Sequence, residues 1–227
     1  MTVTYQVLNI SDGGGSENLL INPRGKINQL NESDGVLSAG QYFCDGWKAG
    51  AAGAEVYRDA DGFRLISGSI LQLVPNNLDA GRPIKGNLDV ISGTPAVRIN
   101  GGTDSESSDD QTNITFEVIG NNSKFTRLVL AESEDLPIYQ QSSDELAPCK
   151  KFLLVVTGRI HRYLNIGAHT NYDEVIADFN GVPAVSYSAI SGATAIIGKR
   201  YGFHWNNDLN HASSAFSVDD LTLDARL

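Results

Sequence analysis

The sequence predicts an antiparallel all-β protein built as a two-sheet sandwich. Three observations carry that expectation. Apolar and polar residues alternate in short runs of strand length, Asp, Asn, Gly and Pro separate the runs, and the runs recur about every 8 to 12 residues. A parallel α/β fold would place helices between the strands, and helical periodicity is scarce here.

The runs in the first half are residues 3–10, 41–48, 55–66, 70–74, 88–91, 96–99, 113–119 and 125–130. The second half repeats the pattern at 151–157, 159–166, 175–179, 184–190, 201–205 and 215–223. Turn chemistry supports it: Asp59-Ala60-Asp61-Gly62 lies between two such stretches, and Asp and Gly supply the left-handed positions of a hairpin turn. Gly120-Asn121-Asn122-Ser123 is expected to do the same between the runs on either side of it.

Composition narrows the function. An apolar fraction of 41% with 23 glycines suits one sandwich rich in tight turns. The formal charge of −10 opposes nucleic acid and anionic lipid, since such partners are held by clustered Lys and Arg. With no apolar stretch near the roughly 20 residues that span a bilayer, no membrane insertion is expected. Cys44 and Cys149 are read as reduced thiols rather than a disulfide framework.

Two segments break the strand pattern. Ser11-Asp12-Gly13-Gly14-Gly15-Ser16 reads as a flexible joint, so the chain divides into an N-terminal arm with its glycine-rich hinge at 1–16 and a sandwich at 17–227. The arm is of a kind that pairs with another chain. Residues 101–110 are an acidic loop, read as a solvated tip, with calcium collection as the alternative.

Asn18-Leu19-Leu20-Ile21-Asn22-Pro23 followed by Ile27-Asn28-Gln29 resembles the opening of a jelly-roll module of bacteriophage tail fibres and related host-attachment proteins. The block from Leu37 to Ala49, with Asp45-Gly46-Trp47, is similar to that family's second block, and Ser69-Ile70-Leu71-Gln72-Leu73-Val74-Pro75 to its next strand. Phe216-Ser217-Val218-Asp219-Asp220-Leu221-Thr222-Leu223 resembles the closing strand of jelly-roll carbohydrate-binding modules. The chain departs from the pattern at Gly25, where the family places an aromatic, and at Leu30, where it places an arginine.

The resemblance implies a two-sheet antiparallel jelly-roll sandwich on the surface of a bacteriophage particle, synthesised in the host cytoplasm. It implies a tail-fibre or receptor-binding protein that holds host-surface polysaccharide without cleaving it. Its partners would be other virion structural proteins and further copies of the chain, as a homotrimer. A structural calcium near the closing strand would fall to Asp219 or Asp220, and no other cofactor is expected. The alternative is a capsid decoration or head-fibre protein anchored to the shell by its N-terminal arm. A glycan-degrading enzyme is a third reading.

Individual residues are weighed in the same way. Trp47 and Tyr42 share an alternating segment and are expected to pack in the core, with a sugar platform as the alternative for Trp47. Asp45 is expected to act as a turn or capping acceptor. A saccharide site needs an aromatic plane beside amides and carboxylates, and the stretch from Tyr201 to His211 offers both. The candidate contacts are Trp205, Asn206, Asn207, Asp208 and Asn210. His204, His211 and Asp208 match no zinc-binding spacing, and GxSxG, HExxH, CxxC and phosphate-loop signatures are missing. No catalytic residue is assigned.

Overall fold

The computed structural model describes residues 17–163, 171–175, 183–191, 195–199, 202–206 and 215–226. For the strand residues 156–163, 171–175, 189–191, 195–199, 202–206 and 215–220 it describes backbone course and register. The first sheet holds β1 (Gly35–Leu37), β2 (Tyr42–Cys44), β3 (Trp47–Asp59), β4 (Gly62–Pro75), β5 (Pro83–Ser92), β6 (Ala96–Ile99), β7 (Ser105–Ser107), β8 (Asn113–Ile119) and β9 (Ser123–Glu132). A four-residue helix, α1 (Leu146–Cys149), follows. Next come β10 (Leu153–Tyr163), β11 (Asn171–Val175), β12 (Ala184–Ser186), β13 (Ala189–Ser191), β14 (Ala195–Lys199), β15 (Gly202–Asn206) and β16 (Ala215–Asp224). Every registered strand pair is antiparallel, so the described chain is the all-β protein that the sequence predicts.

The long β4 organises the first sheet. One edge pairs with β3, while the other pairs first with β9 at Phe63 to Leu65 and then with β8 from Ser69 to Pro75. The strand changes partner at Gly68, which has φ +84 and packs so closely on β3 that an added Cβ would sit 2.4 Å from the Gly53 carbonyl oxygen. Two branches leave this bend, β9–β5–β7 and β8–β6. They face one another: a Cβ on Gly86 of β5 would lie 2.7 Å from Val97 of β6 and 2.9 Å from Phe116 of β8.

Between the branches lies the main core. Phe63 stands at the centre of an aromatic group, with ring centroids 5.4 Å from Trp47, 5.9 Å from Phe43 and 5.8 Å from Phe125. The Trp47 and Phe43 contacts are edge-on, the orientation that matches a ring's positive rim to its neighbour's negative face. Inward positions alternate as the period predicts; in β8, Ile114, Phe116 and Val118 are fully buried between half-exposed neighbours.

In the second half, β16 is the central strand of one sheet, with β10 on one side and β12 and β13 on the other. A second, three-stranded sheet runs β11–β15–β14. The β10–β16 pair meets the N-terminal part through Gln29, whose Nε2 donates to the Leu153 carbonyl at 2.7 Å. Arg226 pairs with Glu32 at 2.7 Å and covers the Tyr42 ring at 4.2 Å.

Several expectations need correction. The run 41–48 is not one strand, because Asp45-Gly46 turns between β2 and β3; Trp47 is fully buried, while Tyr42 is only partly buried and takes Arg226 on its face. Gly120-Asn121-Asn122-Ser123 is not a hairpin turn. It is a corner between two strands that pair with successive stretches of β4, and its amides reach β4 at the bend, Asn122 N–H donating to the Ile66 carbonyl at 3.0 Å. The acidic loop 101–110 is solvent-exposed as expected, except that it contains β7 and buries Ser108, whose hydroxyl donates to the Asp79 carbonyl. Asp59-Ala60-Asp61-Gly62 does form the β3–β4 hairpin turn, and both cysteines are free and buried. The strand predicted at 3–10 and its hinge lie outside the described residues.

Candidate functional site

The residues proposed from sequence fall in two different sheets. Trp205 and Asn206 end β15, where register places Trp205 between Tyr172 and Ile196, and Asn206 between Asn171 and Ala195. Asn207, Asp208 and Asn210 lie outside the described residues. Asp219 sits in β16 opposite Arg159 and Ala189, with Asp220 beside it. Among the described residues no group of three or more His, Cys, Asp or Glu is placed to hold a metal ion.

The blocks that carry the family resemblance converge instead on a buried polar network. Asn22, at φ +48, donates through Nδ2 to the carbonyls of Ile27 and Asp45, and accepts the Ile27 N–H on Oδ1. Its own carbonyl accepts the Trp47 indole N–H at 2.9 Å. Asp45, 1% exposed, accepts the Gln29 backbone N–H on Oδ1 at 2.8 Å and the Gln29 Nε2 on Oδ2 at 2.6 Å. Gln72 closes the network by pairing with both backbone groups of Ile21. Asp45 is therefore the acceptor that the sequence suggests, and these side chains bind the protein to itself.

A cleft opens a few residues away. Its volume is about 230 Å³, and its walls are the strap at 17–23 and the segment 139–148. The strap is pinned to β9: Leu19 N–H donates to the Leu130 carbonyl at 2.8 Å, and Asn18 bonds Leu20, Leu128 and Leu130. The opposite wall is tied to β5, where Asn87 Nδ2 donates to the Pro137 carbonyl at 2.9 Å. Asp144 then accepts the N–H groups of Leu146 and Ala147, starting α1 and setting Glu145 at the cleft edge.

Glu145 is the centre of its chemistry. Oε1 takes Arg24 Nε at 2.8 Å, Arg24 Nη2 at 2.7 Å and the Tyr139 hydroxyl at 2.9 Å. Oε2 takes no donor among the described residues. Arg24 reaches past Glu145 to Asp61 in the β3–β4 turn at 3.2 Å. Burial works against the Arg24 charge, but the bond to Glu145 and the fields of Tyr139, Glu145 and Asp61 outweigh it, so its pKa is raised. Burial, reinforced by the bond to Glu145, pushes the Tyr139 phenol up to about 12, so it stays a neutral donor.

The cleft therefore presents one aromatic side chain, a carboxylate with a spare oxygen and two side chains, Gln140 and Glu17, that make no bond to the described protein. Such an arrangement offers hydrogen-bonding capacity that matches hydroxyl groups. These residues satisfy the saccharide criterion applied to 201–211, although they lie far from that stretch in the chain. The Pro137-Ile138-Tyr139-Gln140 stretch with its trailing acids was the available signal. A second pocket, beside Leu19, Gln72 and Arg226, holds about 20 Å³, room for a water molecule.

No protein family, curated protein or solved structure matches the chain. Among the described residues no helix is long and apolar enough to cross a membrane.

Proposed function

We propose that this protein is a bacteriophage virion surface protein of tail-fibre or receptor-binding type, whose jelly-roll body binds host-surface glycan without cleaving it. The observation that carries the reading is the convergence of Asn22, Gln29, Asp45 and Trp47 in one buried network. These residues come from the two sequence blocks that resemble phage attachment modules, and together they tie the opening strap to β2 and β3. The acidic surface and the antiparallel strands suit a displayed, non-enzymatic body. Single-sugar contacts are weak, so display in several copies, as a trimer on one particle, would supply the avidity.

The test has two parts. Gold-labelled antibody on intact particles should mark the tail tip; label over the shell would move the protein to the decoration class. Purified host polysaccharide should retain the protein on a column and release no reducing sugar, whereas released sugar would make it a glycan-degrading enzyme.

A further inference from the structure

We infer that the cleft between 17–23 and 139–148 is the sugar-binding site, and that it selects an uncharged sugar ring over an acidic one. The inference rests on the glycan-binding reading above and adds where the ligand sits and which chemical class it belongs to.

The hydrogen-bonding capacity of the walls carries it. Asn18 and Asn22 also line the cleft, but their side chains are committed to the backbone. The uncommitted groups are Glu145 Oε2, the Glu17 carboxylate and the Gln140 amide. Acceptors outnumber donors, so a matching ligand brings O–H groups. Among the described residues no Lys or Arg lines the cleft, and Arg24, the cation beside Glu145, is already shared by Glu145 and Asp61. A carboxylate or sulfate on the ligand would face two carboxylates with no free counter-charge, while neutral hydroxyls donate to both.

Size and stiffness agree. At about 230 Å³ the cleft is smaller than the roughly 300–1,000 Å³ of drug-sized pockets, which suits a single ring. Arg24 holds Glu145 by two nitrogens, and Tyr139 adds a third donor on the same oxygen, so Oε2 is fixed in direction before a ligand arrives.

Saturation-transfer NMR on the full chain decides the matter, with galactose, glucose and N-acetylglucosamine as neutral probes, and galacturonate and N-acetylneuraminate as acidic ones. At least one neutral sugar should give a signal and both acids none. Gln140→Ala and Glu145→Gln, each checked by circular dichroism for an unchanged fold, should weaken the neutral sugar about tenfold, the loss of roughly one hydrogen bond. Acidic sugars binding as well as neutral ones would overturn the selectivity. Binding untouched in both variants but lost in Trp205→Ala would overturn the cleft and leave glycan binding standing. Silence from every probe would overturn both.

Discussion

Around Asp45 every polar group has a partner. Both carboxylate oxygens are taken by Gln29, Asn22 uses its whole amide, and Trp47 gives its indole N–H to the Asn22 carbonyl. Around Glu145 the accounting stops short, with three donors on one oxygen and none from the described protein on the other. Both clusters set a carboxylate beside an amide and an aromatic side chain, and both lie against the strap. Residue type alone therefore does not separate structure from recognition; leftover hydrogen-bonding capacity at an open surface does.

That contrast is sharpest for Trp47, which packs edge-on against Phe63 and Phe116. Trp47→Ala should cost about 3–5 kcal/mol in urea unfolding, the usual penalty for emptying a large aromatic site. A loss under about 1 kcal/mol would mean the network is not what holds this corner. Asp45→Ala should come next, at roughly 1–3 kcal/mol, because it leaves the Gln29 backbone N–H without an acceptor and its Nε2 with the Leu153 carbonyl alone. If it unfolds no more easily than wild type, the saturated cluster is not structural and the comparison fails.

Gly25 tests the link between the two clusters. It has φ +68, and an added Cβ would lie 2.6 Å from the Phe63 ring. The aromatic that the family pattern places there has no room, because β4 supplies Phe63 to that space instead. Gly25→Ala should destabilise by about 1–2 kcal/mol. In a Gly25→Ala, Phe63→Leu double variant the two costs should sum to less than their separate values, since the smaller side chain relieves the collision; strict additivity would assign the whole cost to the backbone.

The smallest effect belongs to the cleft. Tyr139→Phe should change stability by less than about 1 kcal/mol at neutral pH, where the cleft cluster is partly solvated. Its signature is alkaline. In the unfolded chain the phenol ionises near its ordinary value of 10, but in the folded chain only near about 12, so stability present below pH 10 is lost as pH rises toward 12. Tyr139→Phe should flatten part of that decline in a series of melts between pH 9 and 11, with Tyr42, also raised to about 12, accounting for a remainder. An unchanged alkaline slope would show that the Tyr139 proton is not held by Glu145 and the cleft wall.

Much of the fold was legible because burial imposes a period of two. Residues 96–99 and 113–119 are strands residue for residue as predicted, and the Asp59 to Gly62 turn followed from its composition. What escaped was short or long-range. β1 and β7 have three residues each, too few to show a period, and β14 lies between the runs at 184–190 and 201–205, in a stretch without sustained alternation. Partner choice at the 120–123 corner depends on the bend of β4, which no local pattern reports. The cleft was invisible for the same reason: Arg24 and Glu145 are 121 positions apart, and only the folded sheet brings them together.

The strap that forms one cleft wall also has a history. Its Asn18 bonds Leu130 across 112 residues, whereas β3 and β4 meet through a turn between Asp59 and Gly62. Hairpins close in about 1–10 μs, but distant pairings must wait for the loop between them to be ordered. At roughly 5–20 residues per second of synthesis, the strap waits about 6–22 s after leaving the ribosome before its partner strand exists. Pulse-labelled hydrogen exchange during refolding should accordingly protect the Arg64 amide, opposite Tyr57 in the hairpin, before that of Leu19, and the reverse order would refute this sequence of events. The strap therefore closes after the β3–β4 hairpin, so the cleft exists only in a chain whose first sheet is already built.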